Sequence, residues 1–459
     1  MFELVKQYSG NGAFHFLLDK ETILNLNFNL VQYSNANIYF ECYLTPTSQE
    51  VLQNFVDIFN NFSQRKEIKV TMDGEVELNG KIKVEEAYLT TINIEYDKPN
   101  LLFKLGLTSF KPVELVFKEI KSGDIRAYAG LTNFVFKGCE TIVNSYDGFK
   151  VSLNGFDVFF IQNENYKQKL DSLKKEDNSI LVTSELLIHF SKGNLNFTEI
   201  TTNLTDLLSY SCRNRISPIY EDYYSEDNLL KTVLRPVITK EFNKGYNLIN
   251  SEHVEECNLK YYLKTCHKNY LEYQNKFALD IVIAFYLETI TQNFTDISFL
   301  LAATTLETLL NGYEELREEE RNPIIKGILK KNKKEILKVL KEFETQNSEE
   351  IANKIVDEIA YQHPTVNDKL SALTKDKRFK IKLNTFDRDF IPIRNKIAHT
   401  GKFPETINSN GSERTISMQE EFTRLIFLID RLILAILSYR ESPFMKLDGS
   451  ITVLKEEQT

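Results

Sequence analysis

The chain has 459 residues, 42% of them hydrophobic and 26% charged, with 65 acidic against 56 basic side chains and a formal net charge of −9. That length allows two or three domains with full cores, and the composition excludes a disordered polymer. An acidic balance argues against a surface coated for non-specific nucleic-acid binding, while leaving room for a local cationic site.

In chain order, residues 1–193 carry the signals of strands. Ile68, Val70 and Met72 alternate with polar residues, as do Val76 with Leu78 and Ile82 with Val84. Asp73-Gly74 and Asn79-Gly80 between them read as two tight turns, since these pairs supply the positive φ angles that short hairpins require. Alternation continues over 88–96, 101–107 and 113–120, and Asn154-Gly155 marks another hairpin between 151–153 and 156–161. One amphipathic helix over 48–62, with Val51, Phe55, Ile58 and Phe59 on a stripe, interrupts the pattern. A sandwich or barrel-like β-rich domain is expected.

Residues 194–250 read as a connector. It holds a short helix carrying Ile200, Leu204, Leu207 and Leu208, then a polar, tyrosine-rich stretch around 220–224. Pro218 and Pro236 break regular structure there. From 251 to 440 the period becomes helical. Phe277, Ile281, Phe285 and Leu287 form one segment, and Asp296 is expected to cap a helix through Leu300, Ala303, Leu306 and Leu310 that stops at Asn311-Gly312. A charged insertion over 314–341 follows. Its lysines, Lys326, Lys330, Lys331, Lys333, Lys334, Lys338 and Lys341, suit an RNA backbone or a salt-bridged, solvated helix pair. A weaker helix over 349–361 precedes one with Pro392 in its first turn. The last helix, over 418–439, buries Phe422, Leu425, Ile429, Leu432 and Ile436, and 441–459 form a tail. The expected fold class is α+β multidomain, with a β-rich N-terminal domain followed by an all-α bundle.

Cys42, Cys139, Cys212, Cys257 and Cys266 are odd in number and include no CxxC pair, so neither a disulfide framework nor a zinc ribbon is expected, and a reducing cytoplasm fits. No charged-then-apolar leader opens the chain. The most hydrophobic run, 425–437, is broken by Asp430-Arg431 and is too short to span a bilayer. There is no GxxxxGK[ST], no GxGxxG after a strand and no HExxH, and no cofactor or metal is expected.

The most informative stretch is Arg394-Asn395-Lys396-Ile397-Ala398-His399, followed by Thr400-Gly401. Arginine is a permanent planar cation that grips phosphate bidentately, and histidine transfers protons near neutrality. On a helix, Asn395 and His399 share a face and Arg394 reaches round from the side. Each has a structural alternative. Arg394 can pair with Asp387 or Asp389, Asn395 can cap or bond backbone, and His399 can cap or pack at the helix end. Glu307 can orient His399 or Arg394, or face solvent.

The segment resembles the signature of the HEPN superfamily, whose nucleases carry Arg, four to six residues, then His, usually with a polar residue after the Arg; here Arg394, Asn395 and His399 match. A β-rich half followed by a helical half is similar to the ApeA-type anti-phage proteins, and residues 300–311 resemble the first core helix of that family's HEPN domain. The resemblance implies a metal-independent, cytoplasmic endoribonuclease acting as an abortive-infection effector. Its active site forms between two bundles of a homodimer, RNA is the substrate with tRNA the suggested class, and a phage-derived trigger meets the N-terminal domain. The alternative is a non-catalytic dimerisation scaffold whose β-rich domain binds protein or glycan.

Overall fold

The structure, a computed structural model, describes residues 2–439 except 19–20, 98–99, 120–123, 139, 144–145, 177–178, 191–195, 245–246, 250–257, 293, 343–346 and 353–363. It is α+β, and the chain divides into two units, Met1–His267 and Lys268–Thr459. No helix among the described residues is long and apolar enough to cross a membrane.

The first unit opens with β1 (Leu4–Leu17), β2 (Thr22–Tyr33), β3 (Ile38–Leu44), α1 (Gln49–Ser63), β4 (Lys69–Val76), β5 (Gly80–Asp97) and β6 (Asn100–Ser109). Period-two alternation decides the faces: β2 buries Leu24, Leu26 and Phe28 and exposes Ile23, Asn25 and Asn27. The order β4-β1-β2-β3-β6-β5, with β5 pairing back onto β4, closes these strands into an antiparallel barrel. Closure removes free edges. Phe14, Phe16, Phe28 and Phe40 fill its interior, each at most 2% exposed. The helix expected over 48–62 forms as α1 with Ser48 as its cap, and Phe55 from that helix packs on Phe103 with ring centroids 3.8 Å apart.

One expected turn is absent. β4 runs straight through Asp73-Gly74, so a single hairpin connects β4 to β5, with Leu78 and Asn79 supplying the positive φ angles. Gly74 is needed for close approach instead: a Cβ there would stand 2.5 Å from the Asn11 carbonyl oxygen of β1. The Asn154-Gly155 turn forms as expected, with Leu153 opposite Phe156.

The sheet continues through β7 (Val113–Val116), β8 (Ile125–Thr132), β9 (Glu140–Val143), β10 (Tyr146–Leu153), β11 (Phe156–Gln162), α2 (Tyr166–Lys175), β12 (Val182–Phe190), α3 (Phe197–Cys212), β13 (Pro218–Ser225) and β14 (Asn228–Leu234). Beyond β5 the order is β7-β14-β13-β8-β12-β11-β10-β9. Within the expected connector, the tyrosine-rich stretch is therefore sheet, with β13 and β14 following α3. Pro218 is the first residue of β13 and Pro236 follows the end of β14, so neither removes an interior ladder bond. The polar side chains that resemble a surface stretch are paired inside: Arg235 Nη1 donates to fully buried Glu221 at 2.8 Å, Tyr220 donates to Glu185 at 2.5 Å, and Lys6 pairs with Asp222. Cys42, Cys212 and Cys266 are buried free thiols; Cys139 and Cys257 lie outside the described residues.

α4 (Asn258–Phe277) carries the boundary between the units. The second unit adds α5 (Leu279–Thr291), α6 (Asp296–Glu342), α7 (Val366–Lys375), α8 (Phe390–Thr400), β15 (Thr406–Ser409), β16 (Ser412–Thr415) and α9 (Met418–Ile436). α6 is its axis, packing against α5, α7, α8 and α9. The five apolar residues expected on the last helix are all buried in α9.

Three helical expectations are corrected. The segment through Phe277 and Ile281 is two helices, because Ala278 adopts a left-handed conformation (φ 48°); the change of phase buries Leu279, Val282, Ile283 and Tyr286 and leaves Ile281 46% exposed. Asn311-Gly312 does not end a helix, for α6 runs 47 residues through it and absorbs the charged insertion. Gly312 lets backbones meet there: a Cβ would lie 2.4 Å from the Lys276 carbonyl oxygen. Thr295, not Asp296, forms the reciprocal cap with Ser298, since Thr295 Oγ1 accepts the Ser298 N–H and Ser298 Oγ accepts the Thr295 N–H. Residues 348–352 are helical, and the remainder of the weak helix expected over 349–361 lies outside the described residues.

Candidate active site

The motif forms a helix because its apolar residues recur at helical spacing. Phe390, Ile393 and Ile397 bury one face of α8, while Asn395, Lys396 and His399 are exposed. Gly401 ends it with φ +70° and an N–H bonded to the Ile397 carbonyl at 2.7 Å. The cap is thus the glycine, and His399 stands exposed in the last turn without a hydrogen-bond partner among the described residues.

Arg394 is held from two sides. Its Nη2 donates to Glu307 Oε2 of α6 at 2.9 Å, and its Nη1 to Asn395 Oδ1 at 3.0 Å. With Oδ1 turned to the arginine, the Asn395 Nδ2 donors remain for another acceptor. The structure therefore brings Arg394, Asn395 and Glu307 together, and sets His399 one turn from Asn395 on the same exposed face. Of the two orientations open to Glu307, the contact is with Arg394. The alternative partners of Arg394 are committed elsewhere: Asp387 accepts from Arg431 at 2.5 Å and Asp389 from Arg414 at 2.6 Å.

Both ends of α8 are fastened. Beyond its C-terminus, Phe403 N–H donates to Asp296 at 2.9 Å and the Phe403 ring meets Phe299 at 5.7 Å, so α8 lies antiparallel along α6 with Arg394 opposite Glu307. Before its first turn, Asp389 accepts from Ser409 at 2.8 Å and from Arg414, which also donates to buried Glu421 at 2.9 Å. Arg414 and Arg424 lie 4.6 and 5.0 Å from the Phe386 ring centroid. No apolar period reveals this clamp. Its signal was Asn410-Gly411, both at positive φ, which forms the two-residue turn joining β15 to β16.

Chemically, a guanidinium, an amide donor and an imidazole at one solvent face can bind an anionic oxygen and move a proton. Among the described side chains of the insertion, Lys331, Lys334, Lys338 and Lys341 are exposed along α6; those of Lys326 and Lys330 lie outside the described ones. A groove of about 1120 Å³ on the barrel is lined by Asn11, Asn25, Asn27, Asp73 and Glu75, with no Lys, Arg or His among its lining residues, which disfavours a polyanion there.

No protein-family model matches the chain, and comparison with curated proteins and with solved structures finds no match.

Proposed function

We propose that the protein is a metal-independent endoribonuclease of the HEPN type. Arg394, Asn395 and His399 act on an RNA phosphodiester, and Glu307 supports Arg394. One observation carries this: α8 presents Asn395 and His399 on an exposed face while Glu307 and Asn395 hold the Arg394 guanidinium beside it. In the reaction, the ribose 2′-OH attacks the adjacent phosphorus, its proton passes to a base, and the P–O5′ bond breaks as O5′ takes up a proton. The products are a 2′,3′-cyclic phosphate and a 5′-OH end. His399 moves the proton, Arg394 neutralises the non-bridging oxygens, and the Asn395 amide donates to one of them. In an in-line displacement the 2′-OH and O5′ stand on opposite sides of the phosphorus, so one fixed imidazole can hardly serve both, and in this proposal two copies of α8, one from each subunit of a homodimer, complete the set.

The biological role that follows is an RNA-cutting anti-phage effector, with tRNA as a substrate class and the β-rich unit receiving the trigger. Induced expression is expected to arrest bacterial growth, and the Arg394→Ala/His399→Ala protein to relieve the arrest. Purified protein in EDTA should leave cyclic phosphate ends. Arrest by the double variant, or RNA cleavage by it at the parental rate, removes the proposal.

A further inference from the structure

Both terminal nitrogens of Arg394 already have protein acceptors, Glu307 Oε2 at 2.9 Å and Asn395 Oδ1 at 3.0 Å. These bonds take two of the five guanidinium N–H donors, one on each terminal nitrogen, so a phosphate that grips both terminal nitrogens competes with Glu307 at Nη2. The pair also sums to zero formal charge, so in this arrangement it offers a phosphodiester no net attraction. The neighbouring acidic side chains behave differently. Asp387, Asp389 and Glu421 are sealed against their own arginines with only 5%, 8% and 2% of each side chain exposed, whereas Glu307 is 22% and Arg394 38% exposed. Among these pairs, the one on the motif is the one open to exchange with a solvent-borne anion.

We propose that Glu307 is a resident competitor for phosphate: a phosphodiester reaches the Arg394 fork by displacing the Glu307 carboxylate, so Glu307 sets how tightly the site holds nucleic acid. This rests on reading Arg394 as the phosphate clamp, and it assigns Glu307 a role distinct from orientation. A carboxylate that only orients the arginine strengthens binding; a competitor weakens it. Glu307→Gln keeps the shape and a hydrogen-bond acceptor but removes the charge, so the two roles predict opposite signs.

The test is fluorescence anisotropy with a labelled, mixed-sequence 2′-O-methyl oligoribonucleotide, which lacks the attacking hydroxyl and cannot be cut. Glu307→Gln should bind about two- to fivefold tighter than the parent, the range of a partly exposed ion pair. The gain should shrink with added salt. Arg394→Ala should bind more weakly, and adding Glu307→Gln to it should restore nothing. Binding by a folded Glu307→Gln protein equal to or weaker than the parent, or a gain that survives loss of Arg394, overturns the proposal, as does an oligonucleotide that none of the proteins binds. The nuclease reading is judged separately on unmodified RNA. Cleavage without tightening sinks only the competitor, and tightening without cleavage sinks only the nuclease.

Discussion

Arg394→Ala separates a structural contact from a chemical one. The Arg394–Glu307 pair is 38% and 22% exposed, so deleting it falls on the scale of solvent-screened ion pairs, about 0.2–1 kcal/mol. In a unit of this size each kcal/mol moves the melting temperature by about 2–4 °C, which bounds the loss at about 4 °C. Removing a donor that meets charge developing in a transition state costs far more, about 2.7–4 kcal/mol, or about 10²–10³ in rate. Thermal melting and single-turnover cleavage of an end-labelled RNA should therefore diverge, with folding nearly intact and cutting nearly abolished. Arg394→Lys should recover little, because an ammonium keeps the charge and loses the fork. Cutting by Arg394→Ala within about threefold of the parent refutes the clamp. A melting loss well beyond about 4 °C refutes the premise that the pair contributes little to stability.

Three further outcomes follow from the packing. Gly312→Ala, which in an open helix gains up to about 1 kcal/mol, should instead lose about 1–3 kcal/mol in thermal melting, because its Cβ would sit 2.4 Å from the Lys276 carbonyl oxygen and 2.6 Å from the Phe277 Cα; an unchanged or raised melting temperature would show that α4 yields without strain. Arg414→Ala strips the cation from Asp389, which keeps only the Ser409 hydroxyl, and one of two arginines from Glu421, both acids buried, and should destabilise the second unit by about 3 kcal/mol or more, measured by denaturant titration; a loss under about 1 kcal/mol would mean that the clamp is not holding α8. Burial holds the His267 imidazole below its ordinary 6.5, so the unfolded chain takes up the proton first and stability falls as pH drops through about 6.5. His267→Gln should flatten the slope of melting temperature between about pH 7 and pH 5.5, and an equal slope would assign that dependence to other groups.

Where side chains alternate or recur locally, the fold was legible. The barrel strands, α1, α3 and α9 follow directly from their apolar periods. What misled was punctuation whose meaning depends on distant chain. Asp73-Gly74 looks like a turn and is a strand, because β1 passes so close that only a glycine fits. Asn311-Gly312 looks like a stop for the same reason, with α4 and not β1 as the neighbour. Tyr220, Glu221 and Asp222 look solvated and lie inside, since Lys6 and Arg235, far apart in sequence, neutralise the acids. Each error has one cause: a local residue preference overridden by a contact that no window of neighbouring sequence contains.

The candidate site divides along the same line. Arg394, Asn395 and His399 lie within two helical turns, so their relation was fixed by helical geometry before any tertiary contact was known. Glu307 is 87 residues away from Arg394, and its selection over Asp387 and Asp389 depends on α8 running antiparallel to α6. That direction is imposed from both ends, by Asp296 on Phe403 and by Arg414 on Asp389. A helix pinned at both ends holds Arg394 and Asn395 at fixed positions, which is what transition-state stabilisation requires. It leaves His399 exposed, without a hydrogen-bond partner among the described residues, at the other end of the same face. In the proposed reaction Arg394 and Asn395 come from one chain, while His399 supplies half of the proton transfer, and the proposal takes the second imidazole from another copy of α8.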